Sequence, residues 1–325
     1  MTRPTRRAIN LAERLQTAGI VDTHFHVGPE LVPRRYDVAD LAEAARAWNA
    51  TLGLKNHTYP TTPLAAHARR HAGVTFLGGT VLNRFVGGLS ADAVASAVSG
   101  NRTHPSETAD EPPFVVWMPT VHAAAHLDAL GFAFDKRWGG CSACNAQVEI
   151  ESEGPEVPVR VFLPDGTPNP ELPAVLEAIA QAGARLATGH LSAEEIMRLV
   201  PMALEAGVPA VLLTHPHYPA VNLSDEQLIQ LIRDERVFIE HCYAIHTIEE
   251  VPTERFVASI EATGTEQVVL STDFGQVSSA PFPECTLRFA EAIEALWPAR
   301  WCEERLITLF TDNPRRALGL SAPPR

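Results

Sequence analysis

The chain has 325 residues, 46% hydrophobic and 20% charged, with 39 acidic against 26 basic side chains and a formal net charge of −13. That composition excludes a disordered chain and a small disulfide-stapled scaffold. The arginine pairs Arg6–Arg7, Arg34–Arg35, Arg69–Arg70 and Arg315–Arg316 are scattered, so neither nucleic acid nor a membrane surface is expected as a partner. Five cysteines, an odd and sparse set, fit reduced thiols and a cytoplasmic location.

Eight short β-branched runs alternate with Ala- and Leu-rich stretches of helical spacing. In chain order they are GIVDTHFHV (19–27), TLGLKNH (51–57), VTFLGGTVL (74–82), FVVWMPT (114–120), RLATGHL (185–191), AVLLTHP (210–216), VFIEHCY (237–243) and QVVLSTDFG (267–275). Alternation of this kind predicts an α/β fold, a (β/α)8 TIM barrel formed as one domain over 1–325. The helices in LAEAARAW, LPAVLEAIAQAG, AEEIMRLVPMALEAG and SDEQLIQLIRDE carry apolar residues at three- and four-residue spacing, as an outer layer requires. Far more residues separate the fourth and fifth runs than a helix and two loops need. The alternation in QVEIE and VPVRVFL predicts an inserted β-hairpin within 132–170, near the barrel mouth. The stretch Ser99–Pro113 has loop composition.

His24, His26, His190, His215 and Asp273 all fall at the ends of predicted strands. In a barrel those ends converge on one face, so residues distant in sequence point into one pocket. His24 and His26, one residue apart, share a strand face about 7 Å apart at Cα and can grip one ion. Imidazole with a carboxylate suits zinc, iron, nickel or manganese. Lys55 ends the second run; there a lysine can be a solvated cation, a substrate clamp or, once desolvated, a carbamate bridging two metals.

These residues resemble the amidohydrolase superfamily of metal-dependent hydrolases, through VDTHFHVG, Lys55, TGHLS with His190, LLTHPHY with His215, STDFG with Asp273, and the closing TDNPRRALGL. The resemblance runs from Val21 to Leu320, with five separated motifs in the right order. It implies that His24, His26 and Asp273 hold a first metal and that His190 and His215 hold a second, with a carboxylated Lys55 as bridge and zinc as the favoured ion. Many binuclear members carry the bridging lysine on the fourth strand, whereas here it is on the second and VVWMPTVH has none. The count therefore stays open at one or two divalent ions, with His122 or His57 as substitute ligands or substrate contacts.

A metal so held lowers the pKa of bound water and polarises a carbonyl, while Asp273 acts as general base and then acid. The expected reaction is hydrolysis of a small-molecule amide, cyclic amide or lactone; the alternative is a mononuclear decarboxylase or deaminase of the same superfamily. His241, after Glu240 on the seventh run, is a candidate catalytic hydrogen-bond donor to the substrate carbonyl. The substrate-pocket candidates are His57, Tyr59, Arg84, Trp117, His217, Tyr243 and Gln276, with Arg84 as a carboxylate clamp. From another class, a catalytically silent barrel would bind a ligand without turnover.

Cys141 and Cys144 in CSAC have zinc-ligand spacing but lack a second pair, so a structural zinc would need His122 or His126. The glycine-rich GGTVLNRFVGG has no phosphate-binding spacing. Trp297, Trp301 and Phe310 near the C-terminus would form a homo-oligomer contact if exposed, or join the core.

Overall fold

The computed structural model describes residues 6–102, 111–134, 156–298 and 300–321. All eight runs form parallel barrel strands: Val21–His26, Thr51–Lys55, an interrupted third strand (Phe76–Leu77 and Gly79–Val81), Val115–Trp117, Arg185–Ala187, Val211–Thr214, Val237–Cys242 and Val268–Ser271. The first three strands and the last six strand segments pair in chain order, with the break at Gly78. A Cβ at Gly78 would sit 2.3 Å from Thr62 Cα, so only glycine admits the backbone at the start of helix Thr62–Ala72. Thr61 bridges the break, its N–H donating to Gly79 O at 2.8 Å and its hydroxyl accepting from Gly79 N at 2.9 Å.

The last strand closes on the first. Asp273 N donates to His24 O at 2.9 Å and His26 N to Phe274 O at 2.7 Å. Asp22 reinforces this seam, its carboxylate accepting from Ser271 Oγ at 2.6 Å and from the Thr272 hydroxyl at 2.5 Å. Hydrogen bonds from Ser271 Oγ, Thr272 Oγ1 and Thr272 N into one buried carboxylate thus lock the strand carrying both histidines to the strand that leads to Asp273.

Strand residues of one parity fill the barrel, among them Val115, Trp117, Leu212, Phe238 and Val269. Residues of the other parity form the larger core beneath the helices. Such double-sided burial is why the strands read as continuous apolar runs. Ala317 and Leu318 of helix Asp312–Leu318 join the interior cluster, and Asn313 Nδ2 anchors that helix to Thr265 O and Val268 O, both at 2.7 Å. This accounts for the TDNPRRALGL tail.

The inserted hairpin falls only partly on the described residues, and the C-terminal aromatics take the core alternative. The described half of the insertion forms no strand; Val159 pairs with Ala123 and Phe162 with Pro168 in isolated bridges. Val159 N donates to His122 O at 2.7 Å, and Leu163 N turns back to Thr167 O at 2.8 Å, so the alternating segment is used up against the loop after the fourth strand and in its own turn. QVEIE, Cys141 and Cys144 lie outside the described residues. Phe310 is core, edge-on to Phe289 at 5.6 Å, while Trp297 and Trp301 pack on each other at 4.5 Å, partly buried against the core.

Candidate metal centre

The C-terminal strand ends surround a cavity lined by His26, Lys55, His57, His190, His215 and Asp273, with Arg34, Tyr218, Glu249 and Gln276 around them. His24 lies just behind this wall, fully buried. The two first-strand imidazoles meet one carboxylate oxygen: His24 Nε2 is 3.0 Å and His26 Nε2 2.9 Å from Asp273 Oδ1. Lys55 Nζ stands 2.8 Å from His24 Nε2. The His190 and His215 rings face each other across 5.0 Å, and His215 lies 6.0 Å from His24.

Backbone geometry at this site is strained. His215 and Asp273 both adopt positive φ, 28° and 55°, a region that non-glycine residues rarely occupy and that clusters at functional sites. Gly275, at φ 124°, allows the loop after Asp273 to press on the first strand: a Cβ there would lie 2.1 Å from His26 O.

Hydrogen bonds outside the cavity fix which ring nitrogen faces in. His24 Nδ1 lies 3.4 Å from Glu240 Oε2, and a neutral His24 that donates there would present Nε2 as a lone pair. Glu240 is itself held by the Thr23 hydroxyl. A longer relay acts on His190. His126 Nε2 donates to Ala133 O at 3.1 Å, so neutral His126 accepts at Nδ1, and His190 Nδ1, 2.9 Å away, must carry the proton. That leaves His190 Nε2 as a lone pair. Tyr218 OH lies 3.2 Å from the same His126 nitrogen.

The electrostatics match a ligand set. Burial, with the positive charge of Arg34, drives the His26 pKa well below the usual imidazole value; burial does the same to His190, and takes His215 to about 3. Asp273 is held well below the carboxylate range because His24 and His26 outweigh its burial. His24 is raised, the Asp273 and Glu240 carboxylates overcoming burial. Burial lowers Lys55, against the pull of Asp273 and Glu240. His26 Nδ1 and His215 Nδ1 are buried without a hydrogen-bond partner. Neutral imidazoles at His26, His190 and His215 and an ionised carboxylate at Asp273 are what a divalent cation requires. Three groups among the described residues bring ligand atoms within 4.8 Å: His24–His26–Asp273, His24–Glu240–Cys242 and His26–Glu30–His57. The first is the one that the sequence predicted.

Not every expected site residue reaches the cavity. His241 is on the outward parity of its strand, stacked on Phe256 at 5.4 Å and His217 at 5.1 Å, so neither it nor His217 touches the cavity. Their inward neighbour is Glu240. Trp117 floors the site instead of lining it, 5.8 Å from His24 and 5.7 Å from Lys55 Nζ, and fills the fourth-strand position where a bridging lysine was sought. Tyr59 donates its hydroxyl to Pro29 O at 2.8 Å, and Tyr243 stacks on Phe289 at 4.9 Å and Phe274 at 5.5 Å. Arg84 is solvent-exposed on a 3-10 turn, Arg84–Val86, because the chain leaves the barrel there. His122 packs edge-on against Phe85 at 4.9 Å, away from the cavity; burial and Arg84 lower its pKa to about 4. His57 does line it, with Nδ1 2.9 Å from Thr120 Oγ1. Sequence reasoning missed Arg34, Tyr218 and Glu240; for the last, strand parity was the available signal.

The profile of DUF6282, a family of unknown function, matches residues 19–240. The chain belongs to that family. No curated protein matches the sequence. Among solved structures, the DUF6282 barrel is similar to the probable dipeptidase PvdM from Pseudomonas aeruginosa, at 12% identity over 97% of this chain and 98% of that one, TM-score 0.59. It is similar at 10% identity, over 94% and 97%, TM-score 0.53, to a protein from the engineering of organophosphate hydrolysis on a weak promiscuous lactonase template. An organophosphorus hydrolase from Deinococcus radiodurans matches at 12% identity, over 94% of both chains, TM-score 0.52. At these identities the likeness shows the fold, the barrel that the amidohydrolase resemblance implied. Among the described residues no helix is long and apolar enough to cross a membrane.

Proposed function

We propose that this DUF6282 protein is a metal-dependent hydrolase of a small-molecule amide, cyclic amide or lactone. The observation that carries the reading is the convergence of His24 Nε2, His26 Nε2 and Asp273 Oδ1 within 4.8 Å of one another at the mouth of a closed barrel. The dipeptidase and lactonase names of similar barrels support it.

His24, His26 and Asp273 would hold a first divalent ion, and His190 and His215, facing the same cavity, a second. A bound ion, zinc being our choice for this ligand set, supplies Lewis acidity and lowers the pKa of water. Glu240 and the His126 relay hold His24 and His190 in the tautomers that ligation needs. Both imidazoles meet Asp273 at Oδ1, which leaves Oδ2 to take the proton from the attacking water and deliver it to the leaving group. Lys55, buried and with its pKa lowered, would supply the carbamate of a binuclear form. Free Cys242 and Cys285 fit a reducing, cytoplasmic setting.

The protein reconstituted with zinc and bicarbonate is expected to turn over members of an amide and lactone panel, and to stop when a chelator strips the metal. Omitting bicarbonate is expected to reduce the metal load in the parent and leave Lys55→Arg unchanged. A metal load independent of bicarbonate in both would refute the carbamate, and chelator-resistant turnover would refute the metal. A second reading, a mononuclear decarboxylase or deaminase, is favoured by one observation: among the described residues His190 and His215 join no three-residue ligand group.

A further inference from the structure

The cavity wall carries a cation that the proposed chemistry leaves idle. Arg34 lies on the loop after the first strand, and its side chain is 1% exposed. That loop is stitched to the one that follows Asp273: Arg34 bridges Gln276, and Arg35 N donates to Gly275 O at 2.8 Å. One edge of the guanidinium is fixed, Nε donating to Glu30 Oε2, while the other Glu30 oxygen accepts from His57 N. Nη1 is buried with no hydrogen-bond partner. Arg34 lines the same cavity as Asp273 and Lys55.

An unpaired guanidinium N–H in a buried wall is costly unless a ligand satisfies it. Arg34 is also preorganised, since Glu30 holds the planar fork in place before anything binds. The carboxylates of Glu30 and Glu249 at the same wall oppose a dianion such as phosphate and favour a singly charged acceptor.

We propose that Arg34 is the clamp for a carboxylate on the substrate, so that the protein acts on small organic acids such as an acylamino acid or an acid-bearing cyclic amide or lactone. The bond broken rests on the hydrolase reading; the clamp itself does not.

Calorimetric titration of the metal-loaded protein with matched pairs tests the clamp: acetate and acetamide, glutarate and glutaramide, N-acetylglycine and N-acetylglycinamide. In the parent at least one acid is expected to bind about tenfold or more tightly than its amide. Arg34→Gln is expected to abolish that preference at unchanged metal content, and Arg34→Lys, which keeps a charge beside Glu30, to retain part of it. Failure of every pair to discriminate in the parent would overturn the clamp, as would a preference that survives Arg34→Gln. Inorganic phosphate binding more tightly than every acid would overturn it too. Should Arg34→Gln not fold, the parent and Arg34→Lys still decide. Arg34-dependent acid binding without turnover of any panel member would sink the hydrolase reading and leave the clamp; turnover without acid preference would do the reverse.

Discussion

Replacing Asp273 by Asn is expected to cut turnover by about 10²–10⁴-fold, the usual worth of a positioned general acid–base group, while the barrel stays folded. The carboxylate is ionised because its interactions with His24 and His26, hydrogen bonds among them, outweigh its burial, and an amide at that position has no proton-accepting oxygen of comparable basicity. Its strand seam survives the change, since closure uses the Asp273 backbone N–H and the Asp22 carboxylate. Circular dichroism and metal content measured beside turnover separate a lost proton shuttle from a lost ion. Turnover within a fewfold of the parent at equal metal content would remove Asp273 from the mechanism.

Gly275→Ala is expected to be the most damaging single methyl at the site. Its φ of 124° is strained for any L side chain, and the added carbon would fall 2.1 Å from His26 O, a backbone atom that cannot swing away. A loss of about 3 kcal/mol or more in denaturant unfolding is expected, the range where backbone strain and steric overlap combine. The shift needed to relieve that overlap moves His26, so the metal content should fall with the stability. A variant as stable as the parent and fully metal-loaded would show that the loop does not hold the ligand.

Much of this was legible in the sequence because strand periodicity and strand ends are local signals. The eight runs, the inward pair His24 and His26, and the facing His190, His215 and Asp273 follow from where apolar runs stop. Parity along a run was equally available, yet His241 drew attention as a titratable side chain while the inward residue of its strand is Glu240. Arg34 was not legible. It sits in a loop with no periodicity, and its place in the cavity wall depends on pairing with Gln276 from the far end of the chain. Arg84 looked similar in sequence and differs only in that its turn faces solvent. In the insertion VPVRVFL alternates as a strand does, and its described backbone bonds go to the loop after the fourth strand and to its own turn.

The central claim, a divalent-metal centre on His24, His26 and Asp273, is tested most directly by elemental analysis of the protein purified without chelators, beside His24→Ala and His190→Ala. The account predicts at least one equivalent of divalent metal per chain in the parent and its loss in His24→Ala. Two equivalents, with one lost in His190→Ala, would mark the binuclear form. A parent that holds no metal above trace, even after reconstitution, or a His24→Ala variant with full parental content, would contradict it.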